Sequence, residues 1–114
     1  MTLTDSSENR KKLCLIYNEV TKEIFAFGSV LVQVEIRNNT ITYYAKQRRL
    51  PFLKALEETI PNFKREVDLQ ITNMYKVKLK EKLEKELSIK VETVFRDFDS
   101  TTLQAYTNIT LSES

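Results

Sequence analysis

Residues 29–47, SVLVQVEIRNNTITYYAKQ, decide the fold. Val30, Val32, Val34 and Ile36 alternate with Leu31, Gln33, Glu35 and Arg37, the period of two that sends successive side chains to opposite faces of a strand. Asn38 and Asn39 tolerate positive φ, so a two-residue type I′ hairpin turn is expected there. Folding the segment about that pair sets Ile36 opposite Ile41, Val34 opposite Tyr43 and Val32 opposite Ala45 on one side of a sheet. Glu35 then faces Thr42, and Gln33 faces Tyr44, on the wetter side. One strand pair with one apolar face demands a layer to cover it.

The flanking segments supply that layer. Upstream, Leu13, Ile16, Tyr17, Val20, Ile24 and Phe27 recur at spacings of three and four, the stripe of a helix of about four turns that Gly28 ends. Residues 5–8, DSSE, read as a capping box with Asp5 at the cap and Glu8 reaching back. Residues 1–7 are expected to form a disordered tail. Cys14 lies beside the stripe and reads as a packed structural thiol, since no cationic neighbour is evident to activate it.

Downstream, LPFLKALEETIP carries Phe52, Leu53, Leu56 and Ile60 on one short helical face, with Pro51 suited to its first turn. Pro61 disfavours helical geometry at Ile60 and parts this helix from the next. From Asn62 to Leu87, Val67, Ile71, Met74, Tyr75, Leu79, Leu83 and Leu87 form a stripe on a helix about 39 Å long at 1.5 Å per residue. Glu81/Lys85, Lys80/Glu84 and Lys82/Glu86 stand at i,i+4, where ion pairs add a few tenths of a kcal/mol each. Alternation then returns: Ile89, Val91, Thr93 and Phe95 on one face, and Leu103, Ala105, Thr107, Ile109 and Leu111 on one face of a final strand. The expected architecture is α+β, in the order α-ββ-α-α-ββ. Two β-hairpins form a four-stranded, largely antiparallel sheet with the helices packed on one face. Patterning leaves the strand order open.

Residue inventory excludes most chemistry. The 114 residues suit one domain over 1–114 and contain no histidine, which removes the Ser-His-Asp and Cys-His mechanisms. One cysteine cannot build a zinc site of the common kind, and one glycine cannot build a dinucleotide or P-loop fingerprint. Eighteen basic residues against sixteen acidic leave +2, short of the basic excess of a dedicated nucleic-acid binder. No apolar run approaches the roughly 18 residues that span a bilayer. The polar opening MTLTDSSENRKK lacks the apolar core of a secretory leader, and with the lone thiol this makes cytoplasm the expected compartment. No catalytic residue, cofactor or metal is expected.

Two segments hold side chains that could carry chemistry or binding. In RDFD, Asp97 and Asp99 at i,i+2 would point the same way along a strand, about 7 Å apart. A hard cation wants six or more oxygens and no third acid stands nearby, while the following DSTT is turn-forming, so a hairpin connection is the favoured reading. In YYAKQRRLPF, Tyr44, Lys46, Arg48 and Arg49 combine an aromatic with cations, as single-strand binders do for stacking and phosphate contact. Tyr43 falls on the other face, so a solvated basic rim for a partner is preferred and nucleic acid stands as the alternative. The long helix has length to spare for a second copy, and a homodimer through the helices or a free sheet edge is the expected assembly.

The order of elements also resembles a known family. A helix ending in Gly28 precedes a hairpin, LPFLKALEE opens a short helix, LEKELSIKVETVF joins the long helix to a strand, and Asp97 precedes the last strand. This is similar to the MpsC-like family, small bacterial proteins named as a component of a sodium-translocating, membrane-potential-generating system. The resemblance spans about residues 8–112. AFGSVLV stands where the family has a G-x-G-P-like turn, so whatever that turn does is not carried over. The resemblance implies a non-enzymatic soluble subunit, peripheral to the membrane, beside membrane proteins of ion or inorganic-carbon transport.

Overall fold

Asn38, at φ 53°, folds β1 (Leu31–Arg37) back on β2 (Thr40–Lys46), and the register is the expected one from Leu31 opposite Lys46 to Arg37 opposite Thr40. Asn39 is not left-handed, so the turn takes one positive φ where type I′ needs two. The computed structural model describes residues 3–25, 31–47, 51–99 and 101–112, with residues 51–54 described by backbone alone. Phe27, Gly28 and Val30, expected to end the first helix and begin the strand, lie outside the described residues.

The helices are α1 (Ser7–Phe25), α2 (Pro51–Thr59) and α3 (Pro61–Leu87), followed by β3 (Val91–Phe98) and β4 (Gln104–Leu111). The four strands run in the spatial order β1-β2-β4-β3, and all three pairings are antiparallel. The α+β reading therefore holds, and the order left open by patterning resolves with β1 and β3 at the edges. α1 packs on β1 and α3 on β3, with the two helices side by side over one face of the sheet.

That face is the core. Leu13, Tyr17 and Val20 of α1 and Tyr75, Leu79 and Leu83 of α3 meet Ile41, Tyr43 and Ile109 with no exposed surface. Each such aliphatic side chain contributes about 1.5–3 kcal/mol by leaving water. Three buried tyrosines stack through it, Tyr17 against Tyr43 at 4.7 Å and against Tyr75 at 6.0 Å. Their hydroxyls are satisfied: Tyr43 donates to the Leu13 carbonyl at 2.7 Å, Tyr75 shares a 2.8 Å bond with Thr107, and Tyr17 accepts from Gln47 at 3.4 Å. Burial pushes the Tyr43 and Tyr75 phenols well above their ordinary range.

Several expectations are corrected by the structure. The cap of α1 is Ser6, whose hydroxyl accepts from the Asn9 N–H at 3.1 Å, while Asp5 is drawn to Arg10. Leu3 packs against the core. Ile60 and Met74 are exposed rather than core-facing. Two cations of α3 reach α1 rather than their own turns, Lys82 pairing with Glu19 at 2.7 Å and Lys78 with Glu23 at 3.4 Å, and Glu84 accepts from the Val91 N–H. Among the described residues the i,i+4 ion pair of α3 is Lys64 with Asp68.

The largest correction concerns β3. Register slips by one residue between Val91 and Thr93, so that Val91 faces Leu111 but Val94 faces Ile109. A bulge of this kind inverts every later side chain. Thr93 and Phe95 leave the core face they were expected to share with Val91, and Val94, Arg96 and Phe98 take it.

Candidate interaction surfaces

The helices cover one face of the sheet and leave the other open. Across that open face Gln33, Tyr44, Tyr106 and Asp97 line up as one cross-strand row, and Glu35, Thr42, Asn108 and Phe95 as the next. Tyr44 and Tyr106 sit directly opposite each other with ring centroids 4.9 Å apart and planes at 53°. Tyr106 is 47% and Phe95 62% exposed, and Thr42 donates to Asn108 at 2.9 Å between them. Lys46 is exposed one position beyond, opposite Gln104. Arg48 and Arg49 lie outside the described residues. The charges of the face nearly cancel: Lys46 and Arg37 stand against Glu35 and Asp97, and Glu35 is itself tied to Arg37 at 3.2 Å.

Tyr44 and Lys46 are thus brought to one surface as their alternation requires. Tyr106 and Phe95 join them there. Alternation along β4 already set Tyr106 opposite to Ala105 and Thr107, but its meeting with Tyr44 needed the β2–β4 adjacency. Phe95 was hidden by the bulge.

Asp97 and Asp99 take different places. Asp97 is exposed on the open face opposite Tyr106. Asp99 turns its Oδ1 into the connecting loop, accepting from the Thr101 N–H at 2.8 Å and the Thr102 N–H at 3.1 Å. That is an Asx turn, the role expected of DSTT. Among the described residues no group of three His, Cys, Asp or Glu is placed to hold a metal ion. Cys14 is half-buried, and burial raises its thiol pKa, the opposite of what activates a nucleophile.

A second uncovered surface runs along α3. Phe63, Val67, Met74 and Val77 recur at spacings of four, seven and three, with Gln70 in the one polar place of a 4-3-4-3 row. Phe63 is 52%, Met74 54% and Val77 57% exposed. The row lies on the side of the helix away from Thr72 and Leu79, which face the sheet. A soluble helix ordinarily carries one apolar stripe. This one carries two.

Arg96 is a half-buried cation. Arg96 points from β3 into the helix-covered side, its guanidinium 5.2 Å from the Tyr75 ring, 5.2 Å from Phe98 and 5.5 Å from Phe25. It donates to Thr72 Oγ1 at 3.0 Å and to Gln47 Oε1 at 3.2 Å. The acceptors are neutral, and the aromatic faces supply the compensating electrostatics.

No helix among the described residues is long and apolar enough to cross a membrane. No family model, curated protein or solved structure matches this chain.

Proposed function

We propose that this protein is a non-enzymatic interaction module, homodimeric, that serves as an accessory or regulatory subunit to a partner protein. The second apolar row of α3 carries the reading. Phe63, Met74 and Val77 hold about half of their surface in water. An exposed apolar row along one helix face supports a surface for protein contact. The resemblance of the element order to the MpsC-like family supports, as the partner, a membrane subunit of ion or inorganic-carbon transport, with the module at the cytoplasmic side of the membrane.

The test is capture from the cells that make the protein, by tagged wild type and by a Met74→Lys/Val77→Lys variant, with and without nuclease. The proposal expects membrane transport subunits with the wild type under both conditions and their loss with the variant. Equal recovery by both proteins would remove α3 from the account.

A second reading rests on the Tyr44–Tyr106 pair. Paired aromatics on an open sheet, with Lys46 at one end, are the platform on which unstacked bases of single-stranded nucleic acid lie. The near-neutral face weakens it. Binding of a fluorescent single-stranded oligonucleotide that falls steeply with salt and vanishes in Tyr44→Ala would favour this reading over the first.

A further inference from the structure

The two edges of the sheet are not alike. β3 is guarded in the ways natural sheets guard an edge: a bulge at Glu92 breaks its regularity, the Val91 N–H is occupied by Glu84, and a charged side chain, Arg96, points inward from it. β1 has none of these. Its seven residues run without a bulge and contain no proline or lysine, and among the described residues it pairs with β2 alone.

Which backbone groups β1 presents follows from the ladder. The Leu111 N–H donates to the Asn39 carbonyl and the Gln47 N–H to the Leu103 carbonyl, so odd-numbered residues of β2 bond toward β4. Even-numbered residues of β2 therefore bond toward β1, to its odd-numbered residues Leu31, Gln33, Glu35 and Arg37. The N–H and C=O groups of Val32, Val34 and Ile36 point outward.

We infer that β1 is where two copies of this chain pair, antiparallel about a two-fold axis at Val34, joining two sheets into one of eight strands. The inference rests on the homodimer reading above and names its surface. With Val34 opposite Val34 of the second copy, Val32 meets Ile36 at both ends. All three outward residues then fall in hydrogen-bonded pairs. Their side chains lie on the helix-covered face, where Val32 and Val34 are only half-buried in one copy. On the open face Glu35 meets Gln33 of the second copy, a polar pair without like-charge opposition. A shift by one residue would set outward-bonding residues against inward-bonding ones and turn apolar side chains to the wet face, and moving the axis to Glu35 would set two carboxylates opposite each other. Pairing also makes the open faces continuous, with one Tyr44–Tyr106 pair on each side of the axis.

Three changes test this in the full chain, with mass read by light scattering across a concentration series. Val34→Pro removes an outward N–H that the single copy does not use, which an edge strand tolerates, and is expected to give monomers. Gln33→Glu sets two carboxylates opposite each other twice per dimer and is expected to weaken association roughly tenfold, whereas Gln33→Lys strengthens it. In a Cys14→Ser background, Gln33→Cys and Glu35→Cys proteins mixed under a mild oxidant are expected to crosslink as a heterodimer, because that non-hydrogen-bonded pair brings Cα atoms to about 4.5 Å. Neither cysteine variant alone has its partner opposite. A dimer that ignores both charge changes and does not crosslink overturns the β1 assignment and leaves the homodimer standing. A chain monomeric at every concentration overturns both. Should Val34→Pro fail to fold, the charge and cysteine variants decide.

Discussion

Arg96 stands 5.2 Å over the ring of Tyr75, a cation turned inward from an edge strand onto the aromatic core of a helix. The contact ties β3 to α3 through the adjacent bond to Thr72 and ties β3 to the end of β2 through Gln47. It also denies the β3 edge to other chains, because a second strand docked there would seal a charge into an apolar layer.

Replacing Arg96 by Val therefore has two expected effects. Loss of the two charge-assisted hydrogen bonds and the ring contacts lowers stability by about 2–3 kcal/mol, read from urea unfolding. The unguarded edge then favours species larger than the wild type in light scattering. Lower stability with unchanged mass would show that the inward charge does not guard the edge.

The Tyr75–Thr107 bond is buried on both sides. Tyr75→Phe leaves the Thr107 hydroxyl without its partner and is expected to cost about 1–2 kcal/mol. Thr107→Val added to Tyr75→Phe recovers part of that loss, since removing both polar groups is cheaper than orphaning one. Additive losses in the double variant would contradict this.

Alkaline pH gives an independent reading of the core. Tyr43 and Tyr75 hold their protons to higher pH in the folded chain than in the unfolded one, chiefly because burial disfavours the phenolate. Above the ordinary tyrosine value of about 10 the unfolded state loses protons first, so stability falls as pH rises. Below that value the stability they contribute is fully present. Unfolding by base is expected to coincide with a sharp rise in phenolate absorbance, and the fall in stability becomes shallower in Tyr75→Phe. In a Tyr44→Phe/Tyr106→Phe background, which removes the two phenols of the open face, gradual ionisation ahead of unfolding would place the core rings in contact with water.

Ser88 ends α3 in the left-handed region, at φ 54° and ψ 37°, where a side chain beyond glycine is unfavourable. Ser88→Gly is expected to raise stability by about 0.5–1 kcal/mol. The side chain is exposed, so no packing loss offsets the gain. A destabilised variant would mean that the serine makes a contact the fold depends on.

Much of this molecule was legible from alternation alone. The first hairpin could be registered residue by residue because its two-residue turn and its apolar face agree on one answer. The helices announced themselves through stripes and prolines, with Pro61 opening α3 one residue before the Asn62 start that was expected. What stayed hidden was non-local. The bulge between Val91 and Thr93 leaves no trace in VETVF, where Thr93 and Phe95 fit a regular strand as well as a shifted one. With it went the inward turn of Arg96 and the outward turn of Phe95. Met74 sits three residues from Ile71 and seven from Val67, so periodicity counted it with the core stripe, although α3 carries a second row. The Tyr44–Tyr106 pair depends on which strands are neighbours, which patterning does not specify. Asp97 and Asp99 were legible as turn chemistry, and Asp99 performs it.

The most direct measurement is the mass of the wild-type chain in solution by light scattering, from low to high concentration. The account predicts a species of twice the 13.4 kDa chain mass that dissociates on dilution. A mass of 13.4 kDa at every concentration would contradict it.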